Sequence, residues 1–203
     1  MNQTPVRILR LSVVLLLVFA VAACTPSNKT LTPDTASLIV PLTLSDYTPQ
    51  FGGTLPAYKG KTLCLSNIRN DARNTTNFSY YSKDNRVKYS LSNKANTPMQ
   101  LIPSFFWYAY QKGFGHAGLT VVDRCTPDVP ELWIIFRSFN DEELKFTVTL
   151  LENGETIFHK DLTIIAGPAA ERSPEKLQAR AYRMIDLTVK TILGTPEFQA
   201  GFL

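Results

Sequence analysis

The sequence predicts an α+β domain: a mainly antiparallel sheet with two principal helices packed on one side. Three observations lead there. Apolar and polar residues alternate with a period of two in several segments, among them Val87-Lys88-Tyr89-Ser90-Leu91 and Phe146-Thr147-Val148-Thr149-Leu150. Strand-like runs flank Asn153-Gly154, the strongest two-residue hairpin signal. A later stretch switches to helical spacing, with Leu177, Ala181, Met184, Ile185, Thr188 and Ile192 along one face.

The chain opens with MNQTPVRILR, which carries Arg7 and Arg10 and no acid. Leu11 to Ala23 follows, apolar except for Ser12. A basic start and a short apolar segment have the form of a secretory signal peptide, and the segment is shorter than the roughly 20 residues that span a bilayer. It ends at Val21-Ala22-Ala23-Cys24. That run resembles the lipobox of bacterial lipoproteins, in which an aliphatic residue and two small ones precede a cysteine. The small residues lie extended in a peptidase cleft, and the thiol takes diacylglycerol before cleavage. The resemblance implies a signal peptide over residues 1–23 and lipidation of Cys24. More than one acyl chain anchors a protein stably where a single chain binds marginally. Thr25 stands where an aspartate retains many such proteins in the Gram-negative inner membrane. The resemblance therefore implies the outer membrane, with the domain facing the periplasm.

Residues 24–59 read as a Pro-rich tether, with Pro26, Pro33, Pro41, Pro49 and Pro56 among Ser, Thr and Asp, and Leu38-Ile39-Val40 as a possible short edge strand. The single folded domain is expected over residues 60–203. Lys61 to Ile68 reads as a strand, and Arg69 to Asn74 as a polar loop. Phe78 to Tyr81 and Val87 to Leu91 are strands joined by the turn Lys83-Asp84-Asn85. A helix then opens with Thr97 as N-cap, Pro98 at the first position and Gln100 completing a capping box. Pro103 either bends this helix or restarts it at Ser104, and Gly113 is its expected stop. Leu119 to Val122 is a short strand. Leu132 to Phe136 is apolar on both faces and therefore central. Phe146 to Leu151 and Glu155 to Ile165 form the hairpin around Asn153-Gly154. The last helix starts at Ser173 with Pro174 and Glu175, and Gly194 and Pro196 end it.

Arg7 and Arg10 account for half of the formal charge of +4, leaving +2 in the chain from Cys24 onward. The basic residues are scattered, so the charge carries no nucleic-acid footprint. Lys83, Arg86 and Lys88 read as a solvated strand face, with an anionic head group as the alternative partner. Cys64 and Cys125 both fall in strand-like segments. In an oxidising periplasm they form either a disulfide or two buried thiols.

The search for chemistry returns little. His116 lies between glycines and His159 in a hairpin strand; neither has ligands at metal spacing. Asp141-Glu142-Glu143 reads as a solvated turn between strands. No catalytic residue, cofactor or metal site is expected, and the chain reads as a non-enzyme. The aromatic run Phe105, Phe106, Trp107, Tyr108 and Tyr110 has two readings: a helix packed deep against a large sheet, or an apolar surface for a partner or a lipid chain.

The order of elements resembles the YajG-type envelope lipoproteins, and more broadly those assisting ABC-type lipid transporters or outer-membrane assembly. The residues that carry this are the lipobox, the polar segment Ile68 to Arg73 after the first strand, and Gln111-Lys112-Gly113-Phe114 at the helix end. The Glu152-Asn153-Gly154-Glu155 turn, the final amphipathic helix and Pro196-Glu197-Phe198 complete the pattern. The resemblance implies a non-catalytic binding or scaffolding domain with an envelope protein or a lipid as partner, or an auxiliary subunit of a lipid transporter. A hydrolase of envelope polymers is the reading from another class.

Overall fold

The computed structural model describes residues 38–91 and 101–202. The signal peptide, Cys24 and the Thr97 to Gln100 capping box lie outside these residues. Strands β1 (Leu38–Leu42), β4 (Ser79–Tyr81) and β5 (Val87–Leu91) form a three-stranded sheet in the order β1-β5-β4. Strands β2 (Thr62–Leu65), β3 (Arg69–Asn70), β6 (Thr120–Val122), β7 (Glu131–Phe139), β8 (Glu143–Glu152) and β9 (Glu155–Ile165) form a second sheet. Its order is β6-β2-β7-β8-β9, with β3 also pairing with β7. Among the described residues the α-helices are α1 (Ile102–His116), α2 (Pro174–Leu193) and the short α3 (Pro196–Ala200).

The α+β class holds, but the pairing is mixed rather than mainly antiparallel. β7, β8 and β9 are antiparallel neighbours, as are β4 and β5. β1 runs parallel to β5, and β2 runs parallel to both β6 and β7. Parallel neighbours need long crossovers, so no hairpin turn announces them in the sequence. The expected polar loop at Arg69 to Asn74 instead begins as a strand, because Arg69 and Asn70 pair with Ile135 and Phe136.

The hairpin forms where Asn153-Gly154 predicts it, with φ of 51° and 80°, both left-handed as a type I′ turn requires. On β7, β8 and β9 the alternate residues Leu132, Ile134, Phe136, Leu144, Phe146, Val148, Leu150, Phe158 and Ile164 are buried. The opposite face is not covered: Trp133 in the centre of the sheet is 47 % exposed.

Helix α1 begins at Ile102 with Pro103 in its first turn, where a missing N–H costs nothing. It does not stop at Gly113. That glycine lies inside the helix, where a Cβ would sit 2.9 Å from a methyl of Val189 on α2. Its role is close packing of the two helices. The chain turns out instead at Gly118, with φ +106°. Helix α2 matches expectation: Leu177, Ala181, Met184, Ile185, Thr188 and Ile192 are all buried.

The packed domain begins before Gly60. Residues 38–59 are not a tether: β1 pairs with β5, and Val40, Leu42, Tyr47, Phe51 and Tyr58 are core residues. Prolines here shape extended chain and short turns while single large side chains anchor it. Tyr58 donates its hydroxyl to Leu193 O at 2.6 Å, and Gln199 Nε2 donates to the same carbonyl at 2.9 Å. Together they satisfy a carbonyl that the end of α2 leaves open.

Phe106 stands at the centre of the core, with ring centroids 5.1 Å from both Phe136 and Phe139. We expect Phe106→Ala to lower stability by about 3–5 kcal/mol, because the cavity it leaves is walled by sheet and helices that cannot collapse. Guanidinium unfolding under non-reducing conditions measures it; a loss below about 1 kcal/mol would place the ring outside the core.

Candidate functional site

The aromatic helix is resolved in favour of packing. Phe105, Phe106 and Tyr110 are buried, so of the two readings of this run the deep-packed helix fits and a five-residue apolar surface does not. Phe106 and Tyr110 face Phe136 on β7. Trp107 is partly buried and its indole Nε1 donates to Leu65 O at 2.9 Å. Only Tyr108 is substantially exposed, at 43 %. The sequence has aromatic side chains on nearly all sides of α1 because the sheet covers one side of it and α2 lies against another.

The buried polar groups act as ties between elements. Asp141 was expected in a solvated turn and is buried instead. Its carboxylate accepts from Lys83 N at 3.1 Å and from the Tyr89 hydroxyl at 3.4 Å, joining the β7–β8 turn to the small sheet. Beside it, Tyr80 stacks on Tyr89 with centroids 4.5 Å apart and meets Phe139 at 4.1 Å. Asp186 on α2 is also buried. It accepts from the Tyr47 hydroxyl at 2.8 Å and from Gln50 N at 3.2 Å. Desolvation raises the Asp186 pKa above the ordinary carboxylate value, and the hydrogen bonds from Tyr47 and Gln50 oppose that shift. Burial, reinforced by the Asp186 carboxylate, pushes the Tyr47 phenol up in turn.

Cys64 and Cys125 are joined in a disulfide, with Cα atoms 5.3 Å apart. Cys64 lies on β2 as expected, whereas Cys125 lies in the loop beyond β6. The bridge pins that loop to the parallel β2–β6 pair, which has only a three-residue register.

The two histidines stand apart. His116 Nε2 lies 2.8 Å from Phe51 O, and His159 Nδ1 lies 2.9 Å from Thr149 Oγ1 on the open sheet face. No group of three or more metal-ligating residues occurs among the described residues. No described helix is long and apolar enough to cross a membrane.

The outward side of α2 borders a hollow of about 430 Å³ that sequence reasoning missed. Ile165 and Ala166 at the end of β9, the loop at Ala169, and Ala179, Met184 and Leu187 of α2 give it apolar walls. Lys176, Arg180 and Arg183 supply cations, and Glu171 is its acid. Arg180 is engaged within the lining, donating to the carbonyls of Asp141 and Gly167.

No family model and no curated protein matches the chain. Among solved structures it is similar to a Xanthomonas campestris protein described with the family model DUF330. The TM-score is 0.53 at 11 % identity, over 80 % of this chain and 96 % of that one. That likeness is one of fold. A structure titled only as an uncharacterized protein aligns at TM-score 0.42 and 13 % identity, over 68 % of this chain and 93 % of its own.

The bridge closes a span of 61 residues. Replacing both Cys64 and Cys125 with Ser is expected to cost about 2–5 kcal/mol in unfolding free energy. Asp186 sets a pH dependence of definite sign. Its folded pKa is raised, so the stability it contributes is full below the unfolded carboxylate pKa and is lost as pH rises through the folded value. Unfolding titrations from about pH 4 to about pH 7 should show wild type losing more stability across that range than Asp186→Asn. Parallel curves for the two proteins would reject the assignment.

Proposed function

We propose that this chain is an envelope lipoprotein whose domain faces the periplasm and works by binding, as an accessory or scaffolding module, rather than by catalysis. The observation that carries the reading is Val21-Ala22-Ala23-Cys24 closing an Arg-flanked apolar segment. That arrangement supplies both export and a lipid anchor on Cys24. The Cys64–Cys125 disulfide supports it from the folded domain, because such bridges persist in oxidising compartments and are rare in the cytosol. Thr25 after the lipidated residue favours the outer membrane.

The non-catalytic part of the reading rests on how the polar groups are engaged. Asp141, Asp186, Tyr47 and Tyr58 each join two elements of the fold. His116 is bonded to a backbone carbonyl, and His159 stands on an open sheet face. A hydrolase needs a nucleophile, a base and an orienting group converging on one cleft. A finer reading, an auxiliary lipoprotein of an ABC-type lipid transport complex, is favoured by the apolar hollow beside α2 with cations on its rim.

The experiment is intact mass and membrane fractionation of the full-length protein beside Cys24→Ala. Wild type is expected to carry acyl mass and to sediment with the outer membrane, and the variant to lose both. Identical, unlipidated behaviour of the two proteins would defeat the proposal.

A further inference from the structure

We infer that the hollow between α2 and the end of β9 holds an acyl chain of an anionic phospholipid, with the head group on Lys176 and Arg183. The inference deepens the proposed function and rests on it in one respect: a lipid anchor keeps the domain within reach of membrane phospholipid.

The walls fit a hydrocarbon chain. Ile165, 73 % exposed, is the most exposed of the large apolar side chains among the described residues, and Ala169, Ala179 and Leu187 line the hollow with it. Alanines at two of these positions leave the space open; larger side chains there would fill it. The volume of about 430 Å³ lies in the range of small-molecule sites. A protein helix about 10 Å across would place only roughly one turn in that space, so a flexible chain fits better than an amphipathic helix.

The charges fit an anionic head group. Lys176 and Arg183 are both exposed, lie seven residues apart on one helix, and make no hydrogen bond or ion pair among the described residues. Seven residues is about two turns, or about 10 Å along the axis, so the two cations bracket the apolar walls from one side. Arg180 between them is engaged with the Asp141 and Gly167 carbonyls instead. Three cations against Glu171 leave the rim net positive. Burial of methylene groups supplies the affinity, at about 0.8 kcal/mol each, and the cations supply the choice of head group.

The test uses the full-length protein in dodecylmaltoside micelles, titrated with dansyl-labelled phosphatidylglycerol and, separately, with dansyl-labelled phosphatidylcholine. Saturable binding of the anionic lipid is expected, weakened at least about tenfold by the double variant Lys176→Glu/Arg183→Glu. A comparable loss is expected from Ala169→Trp, which fills the hollow. Circular dichroism and the unfolding midpoint verify that both variants fold. Equal binding of the two lipids, binding unchanged by the variants, or binding of an acidic amphipathic peptide in place of lipid would overturn the inference. Running Cys24→Ala in the same titration separates the two readings. Selective binding that survives there supports the hollow even where lipidation fails, and its absence in a lipidated wild type overturns the hollow alone.

Discussion

Helix α1 turns Ile102, Phe105, Phe106, Ala109, Tyr110 and Phe114 into the core, and the elements around it are placed by the need to cover them. The inner face of β7 covers one side through Phe136 and Phe139, which meet Phe106 edge-on. Helix α2 covers another and comes close because Gly113 has no side chain to hold Val189 away. The segment before β2 covers a third part of α1, at Lys112 and His116. Lys112 Nζ donates to Leu44 O at 2.8 Å and to Tyr47 O at 3.2 Å, and His116 reaches Phe51 O. A helix with so many large apolar side chains must bury most of them, and here three parts of the chain supply the cover while Ser104, Tyr108, Gln111 and Lys112 lie along its more open side.

Those walls are oriented by a small number of buried polar contacts. Tyr182 bridges α2 to Thr43, accepting from its N–H at 3.1 Å and donating to its carbonyl at 2.9 Å. Asp186 with Tyr47, and Asp141 with Lys83 and Tyr89, do the same elsewhere. A hydrogen bond of this kind contributes about 0.5–1.5 kcal/mol net, but leaving its partner buried and unmet costs about 1–3 kcal/mol. The contacts therefore act more by excluding alternative packings than by adding stability. Apolar faces alone would tolerate sliding of α2 along β1; a buried carboxylate that must meet a phenol and a backbone N–H does not.

What the sequence reveals follows from how local each signal is. The β8–β9 hairpin and the buried stripe of α2 were legible because a turn dipeptide and a helical period lie within a few residues of one another. The parallel pairs of β1 with β5 and of β2 with β6 and β7 were not, since partners as far apart in the chain as Cys64 and Glu131 carry no shared local mark. Gly113 looked like a helix stop because glycine ends helices more often than it packs them, and only Val189 on another element decides between the two uses. Residues 38–59 looked like a tether because their prolines break every period, while Tyr47, Phe51 and Tyr58 anchor the segment singly. Asp141 looked solvated because nothing in Asp141-Glu142-Glu143 announces Tyr89, whose hydroxyl meets it from the other sheet. The aromatic density of α1 was visible, and its meaning was not: the same residues suit a binding face or a deep core, and only the number of walls around the helix distinguishes them.

The same asymmetry governs the site. Three stretches meet at the hollow beside α2: the end of β9, the loop after it, and one side of the helix. Read singly, each is ordinary. Ile165 is a scattered exposed apolar residue of the kind that needs no explanation, Ala169 sits in a polar loop, and Lys176 and Arg183 look like the solvated face of an amphipathic helix. Their meaning changes only when the fold sets them side by side, because an exposed isoleucine next to alanines and unpaired cations forms a surface that water covers poorly and an anionic amphiphile covers well. Arg180 ties this juxtaposition together: it donates to Gly167 O in the loop after β9 and to Asp141 O in the β7–β8 turn. A residue that the sequence presents as one more surface charge is thus part of the wall, while the two cations flanking it make no ion pair among the described residues.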